Sequence, residues 1–259
     1  MTTKTALITG ASSGIGLELA KLFAKNGFYL ILVARSEERL EKLADELRYE
    51  YHVQVATFAK DLTDLSEVQS LYQIIEEENI FIDFLVNNAG FGDYGHFVDS
   101  DWHKTNQMIN LNITSLTYMT HLFLQRMKKE KRGRIMNIAS TAAFQPGPLM
   151  AVYFATKSYV LNFSEALHEE LKEYNISVTT YCPGATATNF SNEANTNNSK
   201  LFKNRKLPTA ANVAEYGFLA MMQGKRLAIY GLMNRFMVFS TRFSPRFLVL
   251  KISKFILQE

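Results

Sequence analysis

Tyr153 and Lys157 place a phenol and an ammonium group four positions apart in the sequence. On a helix this spacing puts the two side chains one turn apart on the same face. A tyrosine in that setting can donate a proton to a developing alkoxide, and a nearby ammonium group stabilises the phenolate that is left. Because such a pair occurs by chance about once in a chain of this composition, the surrounding residues must support the interpretation.

Two further polar residues accompany the pair. Ser140 follows a predicted strand, thirteen residues before Tyr153, and Asn112 lies in an apolar helical segment. We expect all four side chains to converge at one edge of a sheet, where Lys157 lowers the pKa of Tyr153 towards about 7. An ammonium group at about 4 Å contributes on the order of 4 kcal/mol at an effective dielectric constant of about 20, close to the amount required.

A glycine-rich segment between a predicted strand and a predicted helix offers a site for a phosphate group. It reads TGASSGIG from Thr9 to Gly16. Glycines let the backbone turn tightly and approach a pyrophosphate, and the helix N-terminus presents N–H groups with a partial positive charge. Glycine spacing alone also fits an ordinary turn. The residues of this segment predicted to bind a cofactor are Gly10, Ser12, Ser13, Gly14, Ile15 and Gly16, and the three glycines are expected to lie against its phosphates.

The elements that would position these residues follow from the hydropathy pattern. Short apolar runs alternate with longer amphipathic segments, which is typical of a doubly wound parallel sheet in a three-layer α/β/α arrangement. Helices are predicted over residues 15–26 and 36–49, the second with Ser36 as its N-cap. Predicted strands cover residues 4–9, 28–33, 53–59, 81–86, 133–139, 176–182 and 226–230.

Length and composition favour one domain over residues 1–259. The chain has 47% hydrophobic and 20% charged residues, enough for one sizeable core, and no linker or repeat favours two small domains. The net charge of +3 gives no support to nucleic acid binding. With Cys182 as the only cysteine and no leader at the N-terminus, we expect a cytoplasmic protein. The five histidines show no spacing typical of a metal site.

The motifs TGASSGIG, NNAG, NLNITS, NIAST, YFATK and PGATAT occur in the order that is typical of short-chain dehydrogenases/reductases. The chain therefore resembles the compact branch of this family over residues 4 to about 190. The resemblance implies a Rossmann fold and hydride transfer between a nicotinamide cofactor and a carbonyl or alcohol carbon. It also implies a catalytic tetrad of Asn112, Ser140, Tyr153 and Lys157, in which Lys157 holds the nicotinamide ribose and Asn112 helps to place a water.

The resemblance assigns further cofactor contacts. Asn88, Ala89 and Gly90 would border the adenosine side, and Asp61 with Leu62 would border the adenine ring. Pro183, Gly184 and Thr188 would face the nicotinamide carboxamide. Arg35 ends the second predicted strand, where an acidic residue would bind the ribose of NAD, and its guanidinium could hold a 2′-phosphate. We therefore expect NADP(H), with NAD(H) as the alternative if Arg35 only caps a surface turn.

The sequence also gives expectations about the substrate and the partners. Apolar residues beside the motifs favour an apolar carbonyl or alcohol substrate: Phe91, Tyr94, Phe144, Pro146, Leu149 and Met150. We expect a homodimer or homotetramer. A Rossmann protein that senses a dinucleotide without turnover is the alternative function, although the intact tetrad argues against it. Residues 189–206, which are rich in Asn, Ser and Thr, are predicted to form a mobile substrate loop.

The C-terminal extension, residues 231–259, interleaves aromatic and aliphatic side chains with basic ones. Its apolar runs are far shorter than the roughly 20 residues that cross a bilayer. We predict a helix over residues 246–257, with Leu248, Ile252 and Phe255 on one face and Lys251 and Lys254 nearby. Three roles stay open: covering the substrate pocket, forming a subunit interface, or peripheral attachment to an anionic membrane.

Overall fold

The computed structural model describes residues 3–194, 196 and 207–258. Within these residues seven strands form one parallel sheet in the order β3-β2-β1-β4-β5-β6-β7. The doubly wound prediction is thus confirmed, and each predicted strand is found to within two residues at either end. The strands are β1 (Thr5–Thr9), β2 (Tyr29–Ala34), β3 (Val55–Ala59), β4 (Ile82–Asn87), β5 (Gly133–Ile138), β6 (Ile176–Cys182) and β7 (Leu227–Ile229).

Helices cover both faces of this sheet. The predicted first and second helices are confirmed, and so is the helix near the C-terminus. The α-helices in the described part of the chain are α1 (Gly14–Lys25), α2 (Glu37–Tyr51), α3 (Leu65–Glu77), α4 (Trp102–Ile109), α5 (Leu116–Glu130), α6 (Ala151–Glu170), α7 (Phe190–Glu193), α8 (Ala210–Met222), α9 (Leu232–Thr241) and α10 (Arg246–Leu257).

The first strand shows why the fold has three layers. Its side chains alternate between two cores, because successive residues of a strand point to opposite faces. Ala6 and Ile8 pack in the core that includes α1, α2 and α8, whereas Leu7 packs in the core that includes α3 and α5. Both faces are therefore apolar and need helices over them, as expected for a parallel sheet.

The strand order reverses between β1 and β4, which lie side by side in the sheet. At this point the loops after the two strands diverge to opposite faces and leave a cleft at the carboxyl edge. Buried amides support this edge. Asn87 donates to Thr120 (3.0 Å) and to Asn137 (2.9 Å), and Asn137 donates to Ser164 (2.8 Å). These bonds tie β4 and β5 to α5 and α6 directly beneath the cleft.

The structure modifies one prediction in the fold. We expected a mobile loop over residues 189–206, but Phe190–Glu193 forms a single helical turn, α7. The Thr188 hydroxyl accepts from the backbone N–H of Phe190 at 3.3 Å and so helps to start this turn. Residues 195 and 197–206 lie outside the described part of the chain. In the described ranges no helix combines the length and the apolar character needed to cross a membrane.

Candidate active site

A cavity of about 1360 Å³ occupies the cleft at the carboxyl edge of the sheet. It brings together the glycine-rich segment, most of the predicted tetrad and the C-terminal helices. The predicted site residues in its wall are Gly10, Ser12, Ser13, Gly14, Ile15, Arg35, Asp61, Leu62, Asn88, Ala89, Gly90, Ser140, Tyr153, Lys157, Pro183, Gly184 and Thr188. Two predicted residues, Gly16 and Asn112, are not part of the wall.

The glycine-rich turn fits a dinucleotide phosphate. Gly10 and Gly14 have φ angles of 65° and 55°, which favour glycine. A Cβ atom on Gly10 would lie 2.8 Å from Asn88 Nδ2, so the backbone approaches the neighbouring turn more closely than a side chain allows. Helix α1 begins at Gly14 and directs its unpaired N–H groups into the cavity.

Gly16 lies behind this turn rather than in the wall. A Cβ atom there would lie 2.3 Å from the Gly10 carbonyl oxygen and 2.4 Å from Asn88 Nδ2. Asn88 in turn donates to the carbonyl groups of Thr9 (2.9 Å) and Gly10 (3.2 Å). Gly16 therefore permits the close packing that holds the glycine-rich turn in shape. We predicted that Gly16 contacts the phosphates, but its position behind the wall does not favour a direct contact.

Tyr153 lies in the first turn of α6 and is only 8% exposed. Burial raises the pKa of its phenol to about 12, and a hydrogen bond between its side chain and that of Ser140 acts in the opposite direction. This result differs from our expectation of a pKa lowered towards neutrality. The reason is that loss of solvent around the phenol outweighs the stabilisation of the phenolate by its neighbours.

Lys157 lies one turn further along α6 and is 5% exposed. Its Nζ donates to the carbonyl oxygen of Ile138 at 2.8 Å and lies 5.8 Å from the centre of the Tyr153 ring. Burial lowers the pKa of the ammonium group to about 8, so it is mostly protonated at neutral pH. Since an ammonium group has three hydrogens, two remain available to acceptors in the cavity.

Ser140 lies two residues after the end of β5 and caps a short 3₁₀ turn, Thr141–Phe144. Its Oγ accepts from the backbone N–H of Ala142 at 3.1 Å. The hydroxyl itself donates to the carbonyl oxygen of Pro183 at 3.5 Å, a long bond from which its hydrogen can turn towards an acceptor in the cavity. The geometry therefore lets Ser140 donate to an oxygen held beside the Tyr153 phenol.

Asn112 lies in a turn of π-helix, Asn110–Ser115, that separates α4 from α5, and π-turns within helices often occur at functional sites. Its side chain is fully engaged in the protein. The amide donates to the Phe91 carbonyl (2.9 Å) and to Thr156 (3.1 Å), and its oxygen accepts from the Phe91 N–H (3.2 Å). Asn112 thus fixes the backbone of a wall residue and does not present its own side chain to the cavity.

The part of the cavity wall that follows β2 and β3 carries charged side chains: the cations Arg35, Arg39 and Lys60 and the carboxylates Glu38 and Asp61. Arg35 follows β2 and is exposed, and no ion pair involves its guanidinium among the described residues. The sequence analysis missed two cations beside it, Arg39 and Lys60. Lys60 is paired with Glu67 at 2.6 Å, whereas Arg39 lies in the first turn of α2. The sequence signal that could have identified Arg39 was its place in the first turn of the predicted helix, three residues after the Ser36 N-cap and close to Arg35.

The sequence analysis also missed Phe190. Its ring lies 5.4 Å from that of Tyr153, measured between ring centres, and it lines the cavity. Of the six apolar residues predicted near the substrate, Phe91, Phe144 and Met150 are in the wall, and Tyr94, Pro146 and Leu149 are not. Tyr94 lies behind the wall, where its hydroxyl donates to the carbonyl oxygen of the wall residue Leu257 at 2.9 Å.

Helices α9 and α10 form the remaining wall. Val238, Val249 and Leu257 are buried and line the cavity, and Leu257 packs in the same apolar cluster as Tyr153. Ser253 is a buried polar member of this wall, which also includes Asn234, Ser240, Thr241 and Ser244. Its Oγ is buried and has no hydrogen-bond partner among the described residues. The C-terminal segment therefore covers the cavity, the first of the three roles left open by the sequence.

The sequence also gave predictions about the lone cysteine, Cys182, and about metal binding. Cys182 is a free, fully buried thiol, and burial raises its pKa to about 12, so it behaves as the small buried hydrophobic residue expected. Within the described ranges no cluster of three His, Cys, Asp or Glu side chains has the arrangement of a metal site.

Comparison with known proteins places these features in a family. The sequence profile of the family described as short chain dehydrogenase matches residues 4–199. The very-long-chain 3-oxoacyl-CoA reductase of Anas platyrhynchos is 38% identical over 192 residues, which cover 72% of this chain and 61% of that protein. Two other reductases of the same name, from Laccaria bicolor and Macaca fascicularis, are covered over 52% and 59% of their lengths. The chain thus spans little more than half of these relatives.

Solved structures are similar over almost the whole chain. The short-chain dehydrogenase from Sphingobium yanoikuyae in complex with NADPH has a TM-score of 0.84 and 31% sequence identity, covering 93% of each chain. The bulky-bulky ketone specific alcohol dehydrogenase from Comamonas testosteroni has a TM-score of 0.80 and 29% identity, covering 94% of this chain and 93% of that one.

Proposed function

Because the chain belongs to the short-chain dehydrogenase family, whose members are oxidoreductases that use nicotinamide dinucleotides, we propose that it reduces the carbonyl group of a bulky apolar compound with NADPH. The proposal rests above all on the composition of one cavity. The Tyr153 phenol, the Ser140 hydroxyl and the Lys157 ammonium line the same cavity as the glycine-rich turn at the N-terminus of α1.

A bound NADPH supplies the hydride that goes to the carbonyl carbon. The protein must then handle the charge that develops on the carbonyl oxygen. Ser140 turns its hydroxyl hydrogen from the Pro183 carbonyl to that oxygen, and Tyr153 transfers its phenolic proton to it, which yields the alcohol. Because burial holds the pKa of Tyr153 at about 12, the phenol is protonated at neutral pH and is suited to act as a donor.

Lys157 stabilises the phenolate that remains after this transfer. Its ammonium group is oriented by the Ile138 carbonyl and is partly shielded from solvent, which strengthens its electrostatic effect on the phenol. Asn112 acts one step further away as a positioning residue. By holding both polar groups of the Phe91 backbone, it fixes a wall residue that packs against the apolar cluster of Tyr153.

The preference for NADPH rests on the charged end of the cavity. Gly10, Gly14 and the α1 N-terminus would hold the pyrophosphate, and Asp61 and Leu62 would border the adenine. Arg35 and Arg39 would hold the 2′-phosphate through charge-assisted hydrogen bonds. Glu38 also lines this part of the cavity, but it belongs to the first turn of α2. The position at the end of β2, where a carboxylate would select NAD, is occupied by Arg35.

The substrate class follows from the other end. Phe91, Phe144, Met150 and Phe190 line the cavity near Tyr153, and α9 and α10 add Val238, Val249 and Leu257. Such a wall excludes water and accepts apolar substituents on both sides of a carbonyl group. The names of the relatives support this class, since they act on very-long-chain 3-oxoacyl-CoA or on ketones with two bulky substituents.

A steady-state assay tests the proposal. The purified protein is given NADPH or NADH with a series of aryl and long-chain alkyl ketones, and with pyruvate as a small charged carbonyl compound. We expect kcat/KM to be higher with NADPH than with NADH and higher for the apolar ketones than for pyruvate. Tight NADPH binding without turnover of any ketone would show that the protein senses the dinucleotide and would refute the proposal.

A further inference from the structure

The outer faces of α9 and α10 are apolar to an unusual degree. Among the described residues, eleven of the eighteen exposed large hydrophobic side chains lie between residues 232 and 255. Phe243 is 75% exposed, Phe247 is 61% exposed and Phe236 is 67% exposed. The inner face of α10, Val249, Ser253 and Leu257, is buried against the cavity. Covering the cavity therefore explains one side of this helix pair and leaves the other unexplained.

Basic side chains lie among these exposed aromatic residues. Arg242, Arg246, Lys251 and Lys254 are all exposed, and the sequence has no acidic residue between Lys225 and Gln258. No carboxylate of the described residues forms an ion pair with any of the four. We call the outer face formed by these four basic residues and the exposed large hydrophobic side chains between 232 and 255 the aromatic-basic face. Arg235 is also exposed but donates to the Ile229 carbonyl and the Tyr216 hydroxyl, so it is not counted with the four. The chemistry of the aromatic-basic face requires a partner that is both apolar and anionic.

The aromatic-basic face is continuous with the rim of the cavity. Leu232 and Met233 are 81% and 70% exposed and yet line the cavity, and Met237 and Ile252 do the same. A partner that covers the aromatic-basic face would therefore also reach the opening through which an apolar substrate enters. This places the partner beside the opening rather than at a remote surface.

A second copy of the chain fits this face poorly. In a symmetric dimer the same patch meets itself, so four cations of one protomer would face four cations of the other. Since the face carries no carboxylate, none of these charges would be neutralised across the interface. Anionic lipid headgroups above an apolar acyl layer provide both missing components, and helices with this pattern lie in the plane of a bilayer surface.

We propose that the aromatic-basic face binds the surface of a bilayer that contains anionic lipid. The phenylalanine rings enter the boundary between headgroups and acyl chains, while the four basic side chains extend to lipid phosphates. The short length of α10, twelve residues, keeps the helix in the interface. The opening of the cavity then faces the lipid. Vesicle binding is measured without turnover, so this proposal and the proposed function can fail separately.

Cosedimentation of the full chain with vesicles tests the proposal. One set of vesicles is phosphatidylcholine alone, and the other is an equimolar mixture of phosphatidylcholine and phosphatidylglycerol. We expect binding to the anionic vesicles at low salt, little binding to the neutral ones, and release at about 1 M salt, where screening acts over about 3 Å. Absence of the protein from the anionic vesicle pellet at low salt would overturn the proposal.

Charge variants locate the binding. Substituting Arg242, Arg246, Lys251 and Lys254 by Gln should weaken partitioning into anionic vesicles by about fivefold for each charge removed. The control substitutes Gln at Lys4, Lys25, Lys42 and Lys129, which are exposed and remove the same net charge elsewhere. We expect the control to keep most of the binding. An equal loss in both variants would mean attraction through net charge alone and would overturn the assignment to this face.

A fluorescence readout places the aromatic rings without relying on a disruptive variant. The chain has one tryptophan, Trp102, so W102F combined with F247W leaves a single indole in the aromatic-basic face. On addition of anionic vesicles its emission should shift to shorter wavelength, because the ring leaves water. An unchanged spectrum would overturn the proposal, because the ring would then stay outside the bilayer. If F236S/F247S changes a dimer into a monomer in light scattering but keeps its vesicle binding, the face is a subunit interface and the proposal is also overturned.

Discussion

The two walls of the cavity are held in very different ways. At the sheet edge, Tyr153 and Lys157 are buried in the middle of a hydrogen-bonded framework that includes Ile138, Ser140 and the amides beneath β4 and β5. The wall formed by α9 and α10 is attached through apolar side chains and a few hydrogen bonds, which join Tyr94 to Leu257 and Arg235 to Ile229 and Tyr216, and its outer side is open to solvent. Proton transfer requires groups that are held in fixed positions and shielded from water. Binding of an apolar substituent requires a wall of complementary shape and tolerates some movement of that wall.

This difference predicts that substitutions in the first wall affect the rate of the chemical step, and those in the second affect substrate preference. The largest effect is expected for Tyr153→Phe. Loss of the proton donor should lower kcat by at least about a hundredfold, while the affinity for NADPH, measured by fluorescence titration, changes little. The control is Tyr159→Phe, which removes an exposed hydroxyl from the same helix. Substantial residual turnover in Tyr153→Phe would show that another group donates the proton.

A smaller but selective loss is expected at the charged end. Arg35→Ala removes a charge-assisted hydrogen bond worth about 1.5 to 3 kcal/mol, so NADPH affinity should fall by roughly tenfold to 150-fold while NADH affinity is nearly unchanged. Lys42→Ala is the matched control, because it removes an exposed cation from the adjacent helix α2 without touching the cavity. Equal losses for the two cofactors in Arg35→Ala would contradict the assignment of a 2′-phosphate site.

The pH dependence follows from the two buried groups. Because the pKa of Lys157 is lowered to about 8, its positive charge is present below that pH and is lost as the pH rises through it. Tyr153, with a pKa of about 12, stays protonated over this range. For ketone reduction, kcat/KM should be level below about pH 7 and fall by about tenfold per pH unit above about pH 8. A level profile up to about pH 10 would remove the role of the Lys157 charge.

The smallest effect concerns the attachment of the second wall. Tyr94→Phe removes the hydrogen bond to the Leu257 carbonyl, which is worth about 0.5 to 1.5 kcal/mol. We expect KM for apolar ketones to rise by about twofold to tenfold with kcat unchanged. Tyr118→Phe, which loses a hydrogen bond to Gln69 away from the cavity, should leave KM unchanged. A reduced kcat in Tyr94→Phe would indicate that this wall takes part in the chemical step.

The same contrast explains how much the sequence could predict. The strands and the sheet-edge residues could be predicted, because apolar runs define β1 to β7 and short motifs follow the strands that carry them. Two features there were not predictable. Gly16 and Asn112 stand in the motifs but act behind the wall, since backbone packing and amide partners depend on the loop conformation. The pKa of Tyr153 depends on its burial, which a local pattern does not contain.

The C-terminal wall was less predictable for a physical reason. The helix Arg246–Leu257 could be placed from its pattern, but its apolar residues surround the helix almost completely. Such a pattern does not indicate which side packs inward. Contacts between distant parts of the chain decide it. Tyr94 binds the end of α10, and Leu257 packs beside Tyr153, so Val249 and Ser253 face the cavity and Phe247 faces solvent.

The most direct test of the account compares the two walls with one series of methyl ketones of increasing alkyl length. Steady-state constants are measured for the wild type, Tyr153→Phe and Val249→Ala, which trims an apolar side chain of the second wall. Tyr153→Phe should lower kcat by a similar factor of about a hundred or more for every ketone. Val249→Ala should leave kcat for the shortest ketone unchanged and alter kcat/KM for the longer ones by about fivefold or more. If both variants change the whole series by the same factor, or if the wild type reduces none of the ketones with NADPH, the proposed division between a catalytic and a substrate-binding wall is wrong.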